Sequence, residues 1–409
     1  MKKLLPTLRL SLDMTNVLAK IEHAGIKINL NTLDEIRNEY EHELTTIDKR
    51  LKQITNDVMG DTPINLNSAD DRSMLFYSRK VNNKETWVRI FNIGHEMRGA
   101  TRKIKMRSRM SKSVFAKNIR NNTEVVRKTT GYQCSTCEGL GRVRFKLKNG
   151  QLGKANRLCK ACGATGMVYA KSKEVAGLRI LPRSTKDVAQ AGFKTDKTTL
   201  EEMLPSLNGA AKEFVELYVR YSALRTYLST FVEGMENNID ENNFIHPEFM
   251  QCITATGRLS SRNPNFQNMP RGSTFRIRKV VESRFEGGSI IEGDYSQLEF
   301  RVAGFLANDS QIYKDVEDGV DVHAYTASVI GCDRQTAKAD TFKPLYGGVT
   351  GTPDQQKYYR AFKEKYAGVT EWHDKLQREA VETKQIMLPS GRRYCFPDTS
   401  WTKWGTATN

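Results

Sequence analysis

An α+β fold carrying an inserted metal-binding domain is predicted by three observations. Two long stripes of apolar residues recur at helical spacing, a basic and cysteine-bearing stretch separates them, and after residue 238 short apolar runs alternate with turn-rich segments and helical patterns. The 409 residues suffice for two or three domains, and 38% hydrophobic with 9% aromatic content suits a globular chain. Charge is the unusual quantity: 64 Lys and Arg against 47 Asp and Glu leave a net +17. Such a surplus points to a polyanionic partner, nucleic acid before an anionic membrane surface. No stretch approaches the roughly 20 apolar residues of a membrane span. Pro6 breaks the apolar run of "MKKLLPTLRL", which argues against a secretory signal.

The first stripe follows Asn31, with Thr32 and Glu35 spaced as a capping box. Leu33, Ile36, Tyr40, Leu44, Ile47, Leu51 and Ile54 then recur every three or four residues. The second stripe is Phe214, Leu217, Tyr221, Leu224, Leu228, Phe231 and Met235. Together they predict an antiparallel helix pair sharing a narrow seam.

Between them, residues 98 to 130 hold eleven Lys or Arg and a single acid, Glu124. A run so poor in acids is relieved by phosphates, so Arg102, Lys103, Lys105 and Arg107 are candidate DNA-backbone contacts. Next come "CSTCEGLG" and "CKACGATG", placing Cys134, Cys137, Cys159 and Cys162 in two CxxC pairs 21 residues apart. That spacing suits one tetrahedral structural zinc, because four thiolates leave no open position for catalysis. The pattern resembles the zinc knuckles of DnaJ-type chaperones, with Ala164 where the second knuckle has a glycine there. Paired CxxC motifs with three scattered cysteines fit a reducing, cytoplasmic compartment.

Beyond residue 238, "SIIEGDYSQLEFRV" reads as a buried strand delivering Asp294 to a sheet edge where a metal could sit. "QCITATGRLSSRNPNFQNMP" is rich in turn formers and amides around Arg258. In "DRQTAKADTFKPLYGG", Arg334, Lys338, Phe342 and Tyr346 recur every four residues and share one face of a predicted helix. Two cations followed by two aromatics suit a triphosphate at one end and a sugar and base at the other.

In this order, "TATGRLSSRNPNFQN", "DYSQLEFR" and "RQTAKADTFKPLYG" resemble signature stretches of family A DNA polymerases, the bacterial DNA polymerase I group with its bacteriophage members. "LDMTNVLAKIEHAGIKIN" and "PINLNSADDRSMLF" are similar to the start of that family's thumb. The resemblance implies an incomplete right-hand polymerase fold. Its expected parts are thumb at 1–81 and 193–237, a basic zinc insertion at 82–192, partial palm at 238–302, fingers at 303–388 and a hairpin from 389. It implies template-directed DNA synthesis from deoxynucleoside triphosphates on a primer–template, with two magnesium ions. Asp294 would hold both ions, helped by the carbonyl of Tyr295. Arg334, Lys338 and His323 would grip the phosphates, Lys338 also serving as general acid for pyrophosphate. Phe342 would pack on sugar and base, and Tyr346 would floor the nascent pair. Glu299 would exclude the ribose 2′-hydroxyl, while Arg258, Gln267 and Asn268 would hold the primer–template terminus.

The family's second carboxylate sits in a His-Asp-Glu turn between apolar strands, and the imitation here, His373-Asp374, lies instead in a helical pattern. The resemblance therefore implies a split polymerase, with a second polypeptide supplying that turn. Proofreading would fall to a separate exonuclease, and a processivity factor is a further candidate partner. If phage-borne, the protein would work in host cytoplasm. Pro344 departs from the bacterial pattern and should kink the last turn before Tyr346. Two other readings compete: an inactive DNA-binding remnant built around the zinc insertion, and a relative of single-subunit RNA polymerases. Retention of the nucleotide grip argues against the first, and Glu299 against the second.

Overall fold

The computed structural model describes residues 5–93, 110–146, 152–270, 275–346 and 352–397. Two compact units emerge, one of residues 30–237 with 270–278, the other of 1–29, 238–269 and everything from 279 onward. Residues 1–29 group with the second unit.

The first unit is built on a long helix, Leu30–Met59, and a partner helix, Gly209–Tyr227. Arg50 meets Glu213 at 2.7 Å and Arg220 meets Glu43 at 2.7 Å, so rising numbers on one helix face falling numbers on the other, which makes the pair antiparallel. Leu33, Ile36, Tyr40, Ile47, Leu51 and Ile54 are buried as the stripe predicts, and Leu44 is half-buried. On the partner, Leu217, Tyr221 and Phe231 are only half-buried, whereas Tyr218, Tyr227 and Val232 are buried. The chain continues from the partner helix as a π-turn, Leu228–Val232. One extra residue per turn rotates the apolar face away from a strict three-four repeat. The predicted capping box at Thr32 does not form as such, because the helix already starts at Leu30 and Thr32 sits inside its first turn.

The described part of the middle segment is tied into this unit. Trp87 and Phe91 pack together at 4.5 Å, Trp87 against Phe193 and Phe91 against Phe115. Strands Arg127–Gln133 and Met167–Val175 form an antiparallel ribbon. Its root is stitched to the end of the long helix: Gly131 N–H donates to Asp61 at 2.8 Å, and Asp61 N–H donates to the Thr129 carbonyl at 2.9 Å. Gly60 must be glycine there, since a Cβ would meet that carbonyl oxygen at 2.4 Å and the residue has φ +66°. An outer hairpin, Arg142–Lys146 with Leu152–Leu158, extends beyond the ribbon.

In the second unit a short sheet places Ile26–Ile28 between Phe244–Ile245 and Val281–Glu282, antiparallel to both. The helical part has a core of Phe300, Val322, Tyr358, Phe362, Tyr366 and their neighbours. Asp309 joins two helices through that core, accepting from Gln311 N–H, Ile312 N–H and Val369 N–H. The buried Asp315 accepts from Lys365 at 2.7 Å, the Tyr366 hydroxyl at 2.7 Å and Gln311 at 2.8 Å. Burial opposes its charge, and these donors bring its carboxyl below the usual range. Strands Gln385–Met387 and Arg393–Cys395 form the hairpin expected around Ser390-Gly391.

The strand expected to carry Asp294 is not present: residues 288–295 hold neither helix nor strand. Ile291 is 94% exposed and Tyr295 78% exposed. No neighbouring strand pairs with the segment among the described residues, and an unpaired strand turns its N–H and C=O groups to water.

Candidate active site and four-cysteine centre

The helix Arg334–Thr341 starts where its chemistry is needed. Asp333 caps it, accepting from Gln335 N–H at 2.9 Å and Thr336 N–H at 3.0 Å. Arg334 and Lys338 then stand one turn apart, both exposed. The helix stops at Thr341, and a 3₁₀ turn Lys343–Tyr346 follows with Pro344 buried in it. Phe342 and Tyr346 therefore do not continue one α-helical face with the cations, a departure from simple four-residue spacing in the direction that Pro344 predicts.

The neighbouring helix Val322–Ile330 supplies His323. Its Nδ1 lies 2.9 Å from the Thr341 hydroxyl, and its ring meets Phe342 edge-on at 5.2 Å. Partial burial and the adjacent Arg334 and Lys338 hold the His323 pKa below its usual value, although Asp321 pulls the other way. Three nitrogen groups thus come near one another. Asp321 is the residue that spacing arguments overlooked. It caps the His323 helix, accepting from His323 N–H at 3.0 Å and Ala324 N–H at 3.1 Å. Its other oxygen takes the Arg334 Nε–H at 2.6 Å, and that hydrogen bond draws its carboxyl below the usual range. An Asp two residues before a helical His was the available signal.

Next in line, Glu299 Oε1 accepts from Arg258 at 2.6 Å. Burial and the Glu299 carboxylate push the Tyr346 hydroxyl up to about 12, with Arg258 opposing. Arg258, Glu299 and Tyr346 are therefore one coupled cluster. Phe342 stacks towards Phe300 at 6.5 Å, which ties this cluster to the core. Gln267 and Asn268 sit exposed on the 3₁₀ turn Phe266–Asn268. Asp294 stays exposed just ahead of the Leu298–Ala307 helix, and among the described residues it belongs to no group of three potential metal ligands. One carboxylate and one carbonyl are too few oxygens for two magnesium ions. Asp374 lies exposed in the middle of helix Ala367–Thr383, as its helical spacing predicts. Arg102, Lys103, Lys105 and Arg107 lie outside the described residues.

The four cysteines do converge. All four Sγ atoms lie within 4.8 Å of one another, with Cys134–Cys159 at 3.8 Å and Cys137–Cys162 at 3.6 Å, and all are buried. Zinc–sulfur bonds of about 2.3 Å in a tetrahedron would set sulfur–sulfur edges of about 3.8 Å, so the cage has the right size. The two knuckles are near-copies: Gly141 N–H donates to Cys137 Sγ and Gly166 N–H to Cys162 Sγ, both at 3.3 Å. They also exchange backbone bonds, Cys134 N–H to the Gly166 carbonyl at 2.8 Å and Cys159 N–H to the Gly141 carbonyl at 2.9 Å. Such close packing demands glycine, since a Cβ on Gly141 would sit 2.2 Å from the Ala164 carbonyl oxygen. Burial resists charging these thiols, but backbone N–H donors and the neighbouring sulfurs bring Cys134 down to about 6. Burial together with the other three sulfurs pushes Cys137 up to about 11. Four buried thiols held this close together form a group that could hold a metal ion.

Against known proteins, the profile of DNA polymerase family A matches residues 171–408, more than half of the chain. The chain belongs to this family. Relatives within it include DNA polymerase I of Streptococcus pneumoniae (strain ATCC BAA-255 / R6), 29% identical over 239 residues, which are 53% of this chain and 27% of that protein. The thermostable DNA polymerase I of Thermus filiformis is 32% identical over 230 residues, 50% of this chain and 27% of the relative. The chain thus covers only about a quarter of the length of these family A polymerases. In fold it is similar to the POL domain of Pol1 from M. smegmatis, solved in complex with DNA primer-template and dNTP. The TM-score is 0.57 at 19% identity, covering 95% of this chain and 53% of that one. The span matched to family A begins after Cys162, so all four cysteines precede it. Among the described residues no helix is long and apolar enough to cross a membrane.

Proposed function

We propose that this family A chain carries out template-directed DNA synthesis, joining deoxynucleoside triphosphates to a primer 3′-hydroxyl, once a further carboxylate is supplied from outside these residues. The observation that carries the reading is the convergence of Arg334, Lys338 and His323 beside Phe342, followed by the Glu299–Arg258–Tyr346 cluster. Arg334 and Lys338 bind the triphosphate as a fork and a point charge. His323 offers a ring nitrogen to the same phosphates. Lys338 delivers a proton to departing pyrophosphate. Phe342 stacks on the sugar and base, and Glu299 blocks the ribose 2′ position. Arg258 leaves Glu299 to reach minor-groove acceptors, which report pairing geometry more than sequence. Magnesium, when bound, lowers the barrier by polarising phosphate and hydroxyl oxygens. Asp294 and the Tyr295 carbonyl are the groups of this chain that would hold it, and the four-cysteine cage would hold zinc.

The finer part of the proposal is a second polypeptide that completes the palm. Leu298, Val302 and Phe305 fall at spacings of four and three on one helix face and are exposed, as are Ile290 and Ile291 in the preceding segment. An apolar stripe of this kind is unfavourable in water and suits a covering strand. The occupant we assign is the segment bearing the His-Asp-Glu turn.

The test is retention of primer–template in filter binding, with magnesium and either the complementary or a mismatched deoxynucleotide. The complementary nucleotide should stabilise the complex, and Arg334→Ala or Lys338→Ala should remove that gain. Equal retention with both nucleotides would contradict the reading and favour a DNA-binding remnant.

A further inference from the structure

We infer that the zinc-knuckle ribbon and its outer hairpin form a second, sequence-independent binding surface for the phosphate backbone of DNA. Residues 127–175 carry eleven Lys or Arg and only two acids, Glu138 and Glu174. Glu174 is already engaged, pairing with Lys128 at 3.1 Å. Arg142, Arg144, Lys160, Lys171 and Lys173 are exposed or half-exposed, and none makes an ion pair among the described residues.

Two bland explanations for this charge fail on magnitude. A zinc tetrathiolate carries two negative charges, which balance only part of a surplus of nine. The thiolates are moreover satisfied locally by Gly141 and Gly166 N–H groups. An ordinary solvated surface mixes both signs, which this one does not. Geometry then selects the partner. Arg142 and Arg144 are two residues apart on one strand and so share a face of the hairpin, about 6.8 Å apart along it. Leu158, the cross-strand partner of Arg142, lies on that face and is 63% exposed, and Leu140, at the first knuckle, is 77% exposed. A cation-edged ribbon matches duplex DNA, which presents a negative charge about every 1.7 Å of axis. An acidic protein surface would need a matching set of apolar pockets for the leucines, whereas a phosphate backbone needs only the charges. The metal's part is to hold the hairpin stiff.

The inference rests on the polymerase reading only for naming DNA as the polyanion. It is tested on the full zinc-loaded chain without nucleotide, so loss of polymerase activity would leave its outcome untouched. Fluorescence anisotropy with a primer–template duplex gives the slope of log Kobs against log salt. Arg142→Gln with Arg144→Gln and Lys160→Gln should lower that slope by about 0.9 for each phosphate no longer neutralised, and weaken binding about tenfold or more at low salt. Arg142→Lys with Arg144→Lys should keep the slope, because a phosphate accepts either cation. Zinc content measured alongside shows that the cage is intact. A zinc-loaded glutamine variant with the full wild-type slope would overturn the inference, as would a lysine variant whose slope falls as far as that of the glutamine one.

Discussion

The two metal-related regions of this chain differ in how much of each the polypeptide itself supplies. The cysteine cage is self-sufficient: four ligands, two glycine-backed turns and reciprocal backbone bonds all come from residues 134–166. The Asp294 region offers one carboxylate on an exposed, irregular segment, while the His323–Thr341 and Asp321–Arg334 contacts nearby in sequence are already formed. Soft-metal structural sites fold from local sequence, because close thiolates are stabilised only when the ion arrives. A hard-metal catalytic site draws ligands from distant strands, so its assembly depends on the sheet that holds them. On the proposed reading, one region is complete in itself and the other needs a carboxylate from elsewhere.

Breaking the finished region should have the largest effect. Cys159→Ser removes a fully buried ligand, and structural zinc contributes apparent free energies of about 10–16 kcal/mol in isolated zinc-finger peptides. Zinc content should fall well below one per chain, and limited proteolysis should cut within 134–166 while the helix pair resists. In the assembled polymerase, Asp294→Asn should reduce primer extension by about a thousandfold or more, on the order of 4 kcal/mol of barrier, with assembly and zinc unchanged. Comparable loss in both zinc content and activity from this one change would blur the distinction between the regions.

Smaller effects sharpen it. Glu299→Ala should raise the ratio of ribonucleotide to deoxynucleotide incorporation by about 10- to 200-fold, the range for a few missing atoms in a pocket. Deoxynucleotide use should fall as well, because Arg258 and Tyr346 lose their shared partner. An unchanged ratio would refute the steric role. Ala164 holds φ +69° where a side chain is strained, so Ala164→Gly should stabilise the second knuckle by about 1 kcal/mol. Competition with a zinc chelator should then read a several-fold slower loss of metal.

Much of this was legible from residue spacing. The three-four repeats of Leu33 to Ile54 name the buried face of the long helix, since helical period alone decides which side chains meet the core. Two CxxC pairs with trailing glycines define the cage for the same reason, as every constraint is local. Arg334 and Lys338 share a face because they lie within one helix. What escaped depends on partners far away in sequence. The apolar run before Asp294 has strand composition, yet a strand exists only with a neighbour to pair with. The link of Tyr346 to Glu299 crosses between elements. Asp321 serves two elements at once, a role no single-helix pattern reveals.

The most direct measurement is magnesium-dependent primer extension by the purified 409-residue chain, alone and with a polypeptide carrying an apolar-flanked His-Asp-Glu turn. Alone, the chain should bind primer–template and extend it hardly at all, and the added polypeptide should restore extension that Asp294→Asn abolishes. Robust extension by the chain alone would contradict a divided active site, because a carboxylate already within these residues, Asp374 first among them, would then be completing it.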